Sequence, residues 1–308
     1  VAKIGETQFI WRDGTFIDWK EASIHVLSHS VQFGSAVFEG IRCYATPKGP
    51  AIFRLREHLK RMLNSCKIYR MPVTYTIDEL IEANRELVRR NGVEACYLRP
   101  MVLRGYGAAG MVPFDSPVEV YLPCWPWGAY LGAGALEHGV DACVASWHRV
   151  APNTIPAMAK IAGNYLSGQL IKMEALANGY DEAIALGPDG MVSEGSGQNV
   201  FAVDGGVLYT PPIDGTLLPG ITRSTVIALA EELGIKVVVG GLSREVLYTC
   251  DELFVCGTAS EITPVRSVDK LPVGDGSVGP ITKKLQSLFL DIVNGRIADT
   301  RGWLTYVQ

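Results

Sequence analysis

No apolar stretch in these 308 residues approaches the roughly 18 consecutive residues that a membrane-spanning helix needs. There is no excess of positive charge either: 28 lysines and arginines face 32 acids, and no long basic run occurs. That argues against nucleic acid or an anionic membrane as the main partner. The seven cysteines (43, 66, 96, 124, 143, 250 and 256) are odd in number, scattered, and never form C-x-x-C. Reduced, buried thiols in a cytoplasmic protein account for them better than disulfides or zinc. The opening residues VAKIGETQFIW lack the apolar core of a secretory signal, which again points to the cytoplasm. His25 and His29 form H-x-x-x-H, but no glutamate follows the first histidine and the frame IHVLSHSVQF alternates like a strand. Structural histidines are expected there, and no metal.

With 48% apolar and 19% charged residues, the chain can bury a large core as one big domain or two moderate ones. QFIWRDGTFIDW reads as a hairpin around Asp13-Gly14. VFEGIRCYA, AIFRL, ACYLRPMVLR and VEVYLPCW read as strands, and REHLKRMLNSCKI as a helix. A second helix opens at Thr76 with a capping box to Glu79 and stops at Asn91-Gly92. PWGAYLGAGALEHG, rich in Gly and Ala, reads as a linker. Beyond it lie a strand in VDACVASWHRV, a helix ending at Gly179, and hairpins around Asp189-Gly190 and Gly205-Gly206. A helix in TRSTVIALAEELG, strands in KVVVGGLS and DELFVCGTA, and a last helix in GPITKKLQSLFLDIVNG complete the chain. The reading is an α+β fold: residues 1–126 a small N-terminal domain, 127–138 a linker, 139–308 a larger C-terminal domain.

Gly105-Tyr106-Gly107-Ala108-Ala109-Gly110 matches the G-x-G-x-x-G of dinucleotide-binding loops. That loop must lead into a helix whose N-terminus holds the pyrophosphate. Here MVPFDSP follows, with two prolines, and the acid expected about 20 residues on is missing from CWPWGAY. A plain Gly/Ala loop is the better reading.

Three other segments carry chemistry. Lys160 sits in IPAMAKIAG with no acidic neighbour. Desolvation there lowers an amine's pKa, and a neutral amine can attack a carbonyl; a lysine snorkelling from a half-buried strand is the plainer alternative. Glu194, in SEGSGQN, is an acid followed by small residues that would let a flat ring approach, or else an ordinary turn acid. LPGITR opens a helix whose N–H groups and Thr222 hydroxyl suit an anion, or Thr222 simply caps the helix. An amine, an acid and an anion site together are what a pyridoxal phosphate pocket requires.

The ordered segments SHSVQFGSAVFEGIRCY, FRLREHLKRM, YLRP, PWGAYLGAGALE, PNTIPAMAKIAGNYL, SEGSGQNVF, LPGITR and GTASEITPV span nearly the whole chain. On them the sequence resembles the bacterial branched-chain amino-acid aminotransferases, two-domain fold-type IV pyridoxal-phosphate enzymes with a small α/β sandwich domain and a larger domain on a β-barrel-like sheet. The resemblance implies transfer of the amino group of L-leucine, L-isoleucine or L-valine to 2-oxoglutarate. It implies that Lys160 joins the cofactor covalently and shuttles the proton, and that Glu194 pairs with the ring nitrogen. Tyr165 would bond the ring's phenolic oxygen, and Leu218 and Gly197 would lie against the ring. Arg61, Ile221, Thr222 and Thr258 would hold the phosphate. Thr258 and Ala259, helped by Tyr97, would bind the substrate α-carboxylate. Phe38, Gly40, Trp127 and Tyr130 would line the side-chain pocket, Met111 and Val112 would reach a neighbouring subunit's pocket, and Arg99 would receive glutamate's second carboxylate. A homodimer at least is implied, with hexamers in some members, acting on small amino and 2-oxo acids. Two positions depart from the family pattern: Phe33, where many members have a tyrosine, and Tyr106, where close relatives carry an aspartate. Both bear on substrate range. D-amino-acid or (R)-amine aminotransferases and aminodeoxychorismate lyase share the fold and stand as alternatives. Lys160, Glu194 and Arg61 together argue against a non-catalytic protein on the same fold.

Overall fold

The computed structural model describes residues 4–127 and 134–308. The chain forms two compact units: residues 1–128 with 159–163 and 291–308, and residues 129–158 with 164–290. This division departs from the continuous one read from sequence, for two reasons. Phe38 donates its N–H to the Lys160 carbonyl (3.0 Å) and Val37 bridges Ile161, which ties that short segment to the first unit. The last strand, Leu304–Tyr306, pairs with a first-unit strand, Gly49–Phe53. Of the expected linker, residues 128–133 lie outside the described residues, and Ala135–His138 is a short helix.

In the first unit, β1 (Phe9–Arg12) and β2 (Thr15–Asp18) form the expected hairpin. Its turn uses positive φ at Asp13 (42°) and Gly14 (90°), as a two-residue hairpin loop requires. α1 (His29–Phe33) is a short helix rather than the strand that its alternation suggests. It is followed by β3 (Ala36–Phe38), β4 (Ile41–Thr46) and β5 (Gly49–Phe53). α2 (Leu55–Ile68) and α3 (Ile77–Asn91) come next. The Thr76–Glu79 capping box forms, with the Glu79 N–H to Thr76 Oγ1 and the Thr76 N–H to Glu79 Oε2.

The run ACYLRPMVLR is not one strand but two, β6 (Cys96–Leu98) and β7 (Met101–Arg104), broken at Arg99-Pro100. VEVYLPCW likewise breaks at Pro123 into β8 (Val118–Leu122) and β9 (Cys124–Trp125), and VFEGIRCYA breaks at Glu39-Gly40. A proline has no N–H to give a ladder, so two of these breaks have a direct cause. The halves then enter two different antiparallel sheets, ordered β2-β1-β8-β7-β3 and Leu304–Tyr306-β5-β4-β6-β9. The breaks lie side by side: Glu39 N–H donates to the Pro100 carbonyl (2.8 Å) and Arg99 N–H to the Pro123 carbonyl (2.9 Å). Leu55, Leu59, Met62 and Cys66 of α2 and Leu80, Leu87 and Val88 of α3 recur at helical spacing, and all are buried in the core of this unit.

The second unit is built on one sheet with nine strands among the described residues. After α4 (Ala135–His138) and β10 (Val140–Val144) come α5 (Tyr165–Ala177), β11 (Glu182–Leu186), β12 (Val192–Gly195), β13 (Asn199–Asp204) and β14 (Val207–Thr210). α6 (Ile221–Glu232), β15 (Val237–Val239), α7 (Val246–Thr249), β16 (Glu252–Gly257), β17 (Glu261–Val268), β18 (Leu271–Pro272) and α8 (Pro280–Val293) follow. The order is β12-β11-β10-β17-β16-β13-β14-β15, with β18 on β17. The expected hairpins β11–β12 and β13–β14 are antiparallel, whereas β10 runs parallel to both β11 and β17. Buried Glu252 caps α8, accepting the N–H groups of Ile281 (3.0 Å) and Thr282 (2.7 Å). Such a carboxylate satisfies helix donors that would otherwise lack partners.

Leu59 is fully buried on the core face of α2. Leu59→Ala is expected to cost about 2–5 kcal/mol, from lost burial plus the cavity left behind. Chemical denaturation of the purified protein measures it, and a loss under about 1 kcal/mol would contradict this packing.

Candidate functional site

The first unit gathers its notable side chains where the three strands break. Lys160 is held by its backbone, with its N–H donating to Ser65 Oγ (3.0 Å) and its carbonyl accepting from Phe38. The residue is half-exposed along its length, but its amine is desolvated and sits 4.7 Å from the Phe38 ring centre. Burial, and next the Arg61 charge, push the amine down to about 8, with Glu39 pulling the other way.

Arg61 grips Glu39 with two parallel bonds, Nε to Oε1 and Nη2 to Oε2, both 2.7 Å. Glu39 is completely buried, and His58 Nδ1 lies 2.7 Å from its Oε2. Burial pushes the Glu39 carboxyl up, but the Arg61 and His58 interactions outweigh it and hold the carboxyl well below the usual range. Burial pushes His58 below its ordinary value despite Glu39. His58 is therefore neutral near pH 7, donates through Nδ1–H, and leaves Arg61 as the cation that balances Glu39. His58, Arg61 and Ser65 are three and four residues apart, on one face of α2.

The Arg99 guanidinium lies over three rings: Phe38 (5.0 Å), Tyr97 (5.2 Å) and Trp125 (5.7 Å). Its buried Nε has no hydrogen-bond partner among the described residues. Tyr97 packs on Trp125 and Trp127, with ring centres 5.4 and 4.8 Å apart. A Cβ on Gly40 would fall 1.9 Å from the Tyr97 hydroxyl oxygen, so only glycine leaves Tyr97 this position. Tyr130 lies outside the described residues. Phe33, Tyr106, Met111 and Val112 are exposed. Tyr106 packs on His25, ring centres 4.3 Å apart, whereas His29 Nδ1 meets Ser35 Oγ at 2.6 Å. No helix follows Gly110; residues 111–117 are irregular, which removes the anion-binding element that the dinucleotide pattern needs.

The second unit holds the expected acid and the helix start. Glu194 lies near the end of β12 and is buried. Its Oε1 accepts from Arg149 Nη2 (2.9 Å), and its Oε2 from Asn199 Nδ2 and the Leu218 N–H (both 3.2 Å). Asn199 Nδ2 also donates to the Leu218 carbonyl (3.0 Å), and a Cβ on Gly220 would fall 2.0 Å from Asn199 Oδ1. Asn199 thus joins the acid to the loop that starts α6. The residue at the N-cap of α6 is Gly220, not Thr222, and no side chain caps the helix. Thr222 is buried in its first turn. Nothing lies within 4 Å of a Cβ built on Gly197, which leaves room beside the backbone. Thr258 and Ala259 sit in the turn from β16 to β17, which closes with Glu261 at φ 55°. A non-glycine residue there is strained, as residues at functional turns often are. Tyr165 begins α5.

Each unit carries part of what a phosphorylated pyridine aldehyde would need: the first a low-pKa amine and an arginine, the second an anchored carboxylate and a helix start with glycine at its N-cap. Glu39, His58, Ser65, Arg149 and Asn199 were not expected from sequence. The i, i+3, i+7 row of polar residues on α2 was a legible signal for three partners of that site.

The chain belongs to the amino-transferase class IV family, whose profile matches residues 36–268. Among its relatives, the branched-chain-amino-acid aminotransferase of Escherichia coli K12 is 51% identical over 304 residues, 98% of each chain. The crystal structure of an Escherichia coli branched-chain amino acid aminotransferase superposes with a TM-score of 0.96 at 51% identity, covering 98% of this chain and 100% of the other. The branched-chain amino acid aminotransferase from Thermobaculum terrenum, crystallised in its PLP-form, superposes with a TM-score of 0.91 at 37% identity, over 98% of this chain and 99% of that one.

Gly40→Ala is expected to displace Tyr97 and lower kcat/KM by about tenfold or more, with little change in melting temperature. Steady-state kinetics beside a thermal melt checks this; unchanged kinetics would show that Tyr97 has another place to go.

Proposed function

We infer that this protein is a pyridoxal-phosphate-dependent branched-chain-amino-acid aminotransferase. It moves the amino group of L-leucine, L-isoleucine or L-valine to 2-oxoglutarate, and the reaction is reversible. The single observation that carries the substrate reading is Arg99, a guanidinium among three aromatic faces whose Nε finds no partner among the described residues. Aromatic walls suit a branched apolar side chain. An arginine among them suits the second carboxylate of glutamate, because a charged bidentate pair repays the desolvation of both groups.

When bound, the cofactor supplies an aldehyde for the amino group and a ring that accepts electrons. Lys160 Nζ, with a pKa of about 8, would be the base that takes the proton from the substrate Cα and holds it for return. Glu194, anchored by three donors, would keep a proton on the ring nitrogen, and Tyr165 would bond the ring's phenolic oxygen. Leu218 and Gly197 would lie against the ring. Arg61, Ile221, Thr222 and Thr258 would hold the phosphate. The N–H groups of Thr258 and Ala259, with Tyr97, would bind the α-carboxylate. Phe38, Gly40 and Trp127 would wall the side-chain pocket; Tyr130, the fourth residue that the resemblance implies there, lies outside the described residues.

We also propose a homodimer at least. Val26, Leu27, Val31, Phe33, Met111, Val112 and Phe114 of the first unit are all exposed, and exposed apolar side chains in such number suit a subunit interface. Met111 and Val112 then complete a neighbouring copy's pocket. Seven free, buried cysteines support a cytoplasmic setting. No helix among the described residues is long and apolar enough to cross a membrane.

Two outcomes test this reading. Single-turnover loss of the cofactor's absorption band should be fast with L-leucine and slow with D-alanine and (R)-1-phenylethylamine; negligible turnover of leucine would overturn it. Arg99→Met should raise KM for 2-oxoglutarate at least about tenfold more than KM for L-leucine, because it removes a charged hydrogen bond made by only one of them. Equal effects on both would take Arg99 out of the carboxylate role.

A further inference from the structure

Glu39 is the only buried carboxylate among the described residues of the first unit. It follows Phe38, whose N–H bonds the Lys160 carbonyl and whose ring lies 4.7 Å from the Lys160 amine. It takes Nε and Nη2 of Arg61 and the Nδ1–H of His58. We propose that Glu39 is a positioning residue with two linked effects: it fixes the plane of Arg61, and its charge keeps the two nearby arginines from stripping the Lys160 amine of its proton. The inference rests on Lys160 being the reacting amine.

The strongest charge effects on Lys160 come from Arg61 of α2, Glu39 at the break between β3 and β4, Tyr97 of β6 and Arg99 beyond β6, and His58 of α2 also interacts with it. Both arginines push the amine down, and Glu39 and Tyr97 push it up. Only Glu39 among the four is an acid ionised at neutral pH. Without it, Arg61 would act on Lys160 uncompensated, and the guanidinium would lose the partner that takes two of its three nitrogens. A reactive amine needs a balance: low enough to be neutral when it acts, high enough to pick up and hold the proton it carries.

The test follows Lys160 itself, apart from turnover. The full-length chain freed of cofactor is labelled with trace acetic anhydride across pH 5.5–10, and the Lys160 peptide is quantified by mass spectrometry. Wild type should show a midpoint near 8. Glu39→Gln should move the midpoint down by about one unit and raise labelling at pH 6.5 roughly eightfold. The double variant Glu39→Gln with Arg61→Met should bring it back toward wild type, because both charges leave together. An unshifted midpoint in Glu39→Gln overturns the proposal. Should that variant fail to fold, Arg61→Met alone decides: its midpoint should rise above that of wild type, and an unchanged one overturns the proposal. Because no step depends on turnover, a failure here is distinct from a failure of the aminotransferase reading.

Discussion

Two prolines and a glycine interrupt three neighbouring strands at one level, and the first unit's chemistry follows from that interruption. Pro100 and Pro123 have no N–H to extend a ladder. Their carbonyls instead accept from Glu39 and Arg99 across the gap. Had the three chains run on as pleated strands, successive side chains would alternate between faces, and Phe38, Glu39, Tyr97 and Arg99 could not all converge. Broken here, the chains turn from one sheet into another, and polar groups at the turn can point where a strand interior would not allow. The short segment carrying Lys160 reaches this gap through the bond from Phe38 N–H to its carbonyl.

A gap lined by charges must also be electrostatically balanced. Glu39 has no solvent contact, and a buried carboxylate survives only with partners that repay its desolvation. Arg61 and His58 fill that role with three bonds of 2.7 Å. In the second unit, Glu194 solves the same problem with Arg149, Asn199 and the Leu218 N–H. The two acids end in different positions. Every oxygen of Glu39 is engaged by an inward-facing partner, as befits a group that acts through its neighbours. Both oxygens of Glu194 are engaged too, but by groups of the second unit around the loop that starts α6.

The sequence was most readable where local chemistry decides the structure. The Asp13-Gly14 turn, the Thr76–Glu79 capping box and the apolar face of α2 formed as their residues dictate. Lys160 and Glu194 stood out because an amine among apolar residues and an acid before small ones are locally unusual. The strand breaks were harder. ACYLRPMVLR keeps its apolar character through Arg99-Pro100, so periodicity alone runs the strand straight across. The assignment of residues 291–308 was harder still, since only long-range pairing sends Leu304–Tyr306 to β5. Glu39, Arg149 and Asn199 were not legible at all. Each looks like an ordinary strand-end or loop residue until a segment far away in sequence buries it. Arg149 meets Glu194, and His58 meets Glu39, only in the folded chain.

The role proposed for Arg99 would let one set of side chains serve two unlike substrates. An isolated buried guanidinium would be costly beside an apolar ligand. Here its charge faces the π-clouds of Phe38, Tyr97 and Trp125, which stabilise a cation without binding it in the directional way a carboxylate does. On that proposal the cation is tolerable when a hydrocarbon side chain lies nearby, and no buried acid among the described residues would compete for it when a carboxylate arrives. A glutamate residue in place of one of these rings would hold Arg99 more tightly and so oppose the second substrate. Aromatic faces are the compromise, and Gly40 is part of it, since it gives the Tyr97 ring the space to lie where it does.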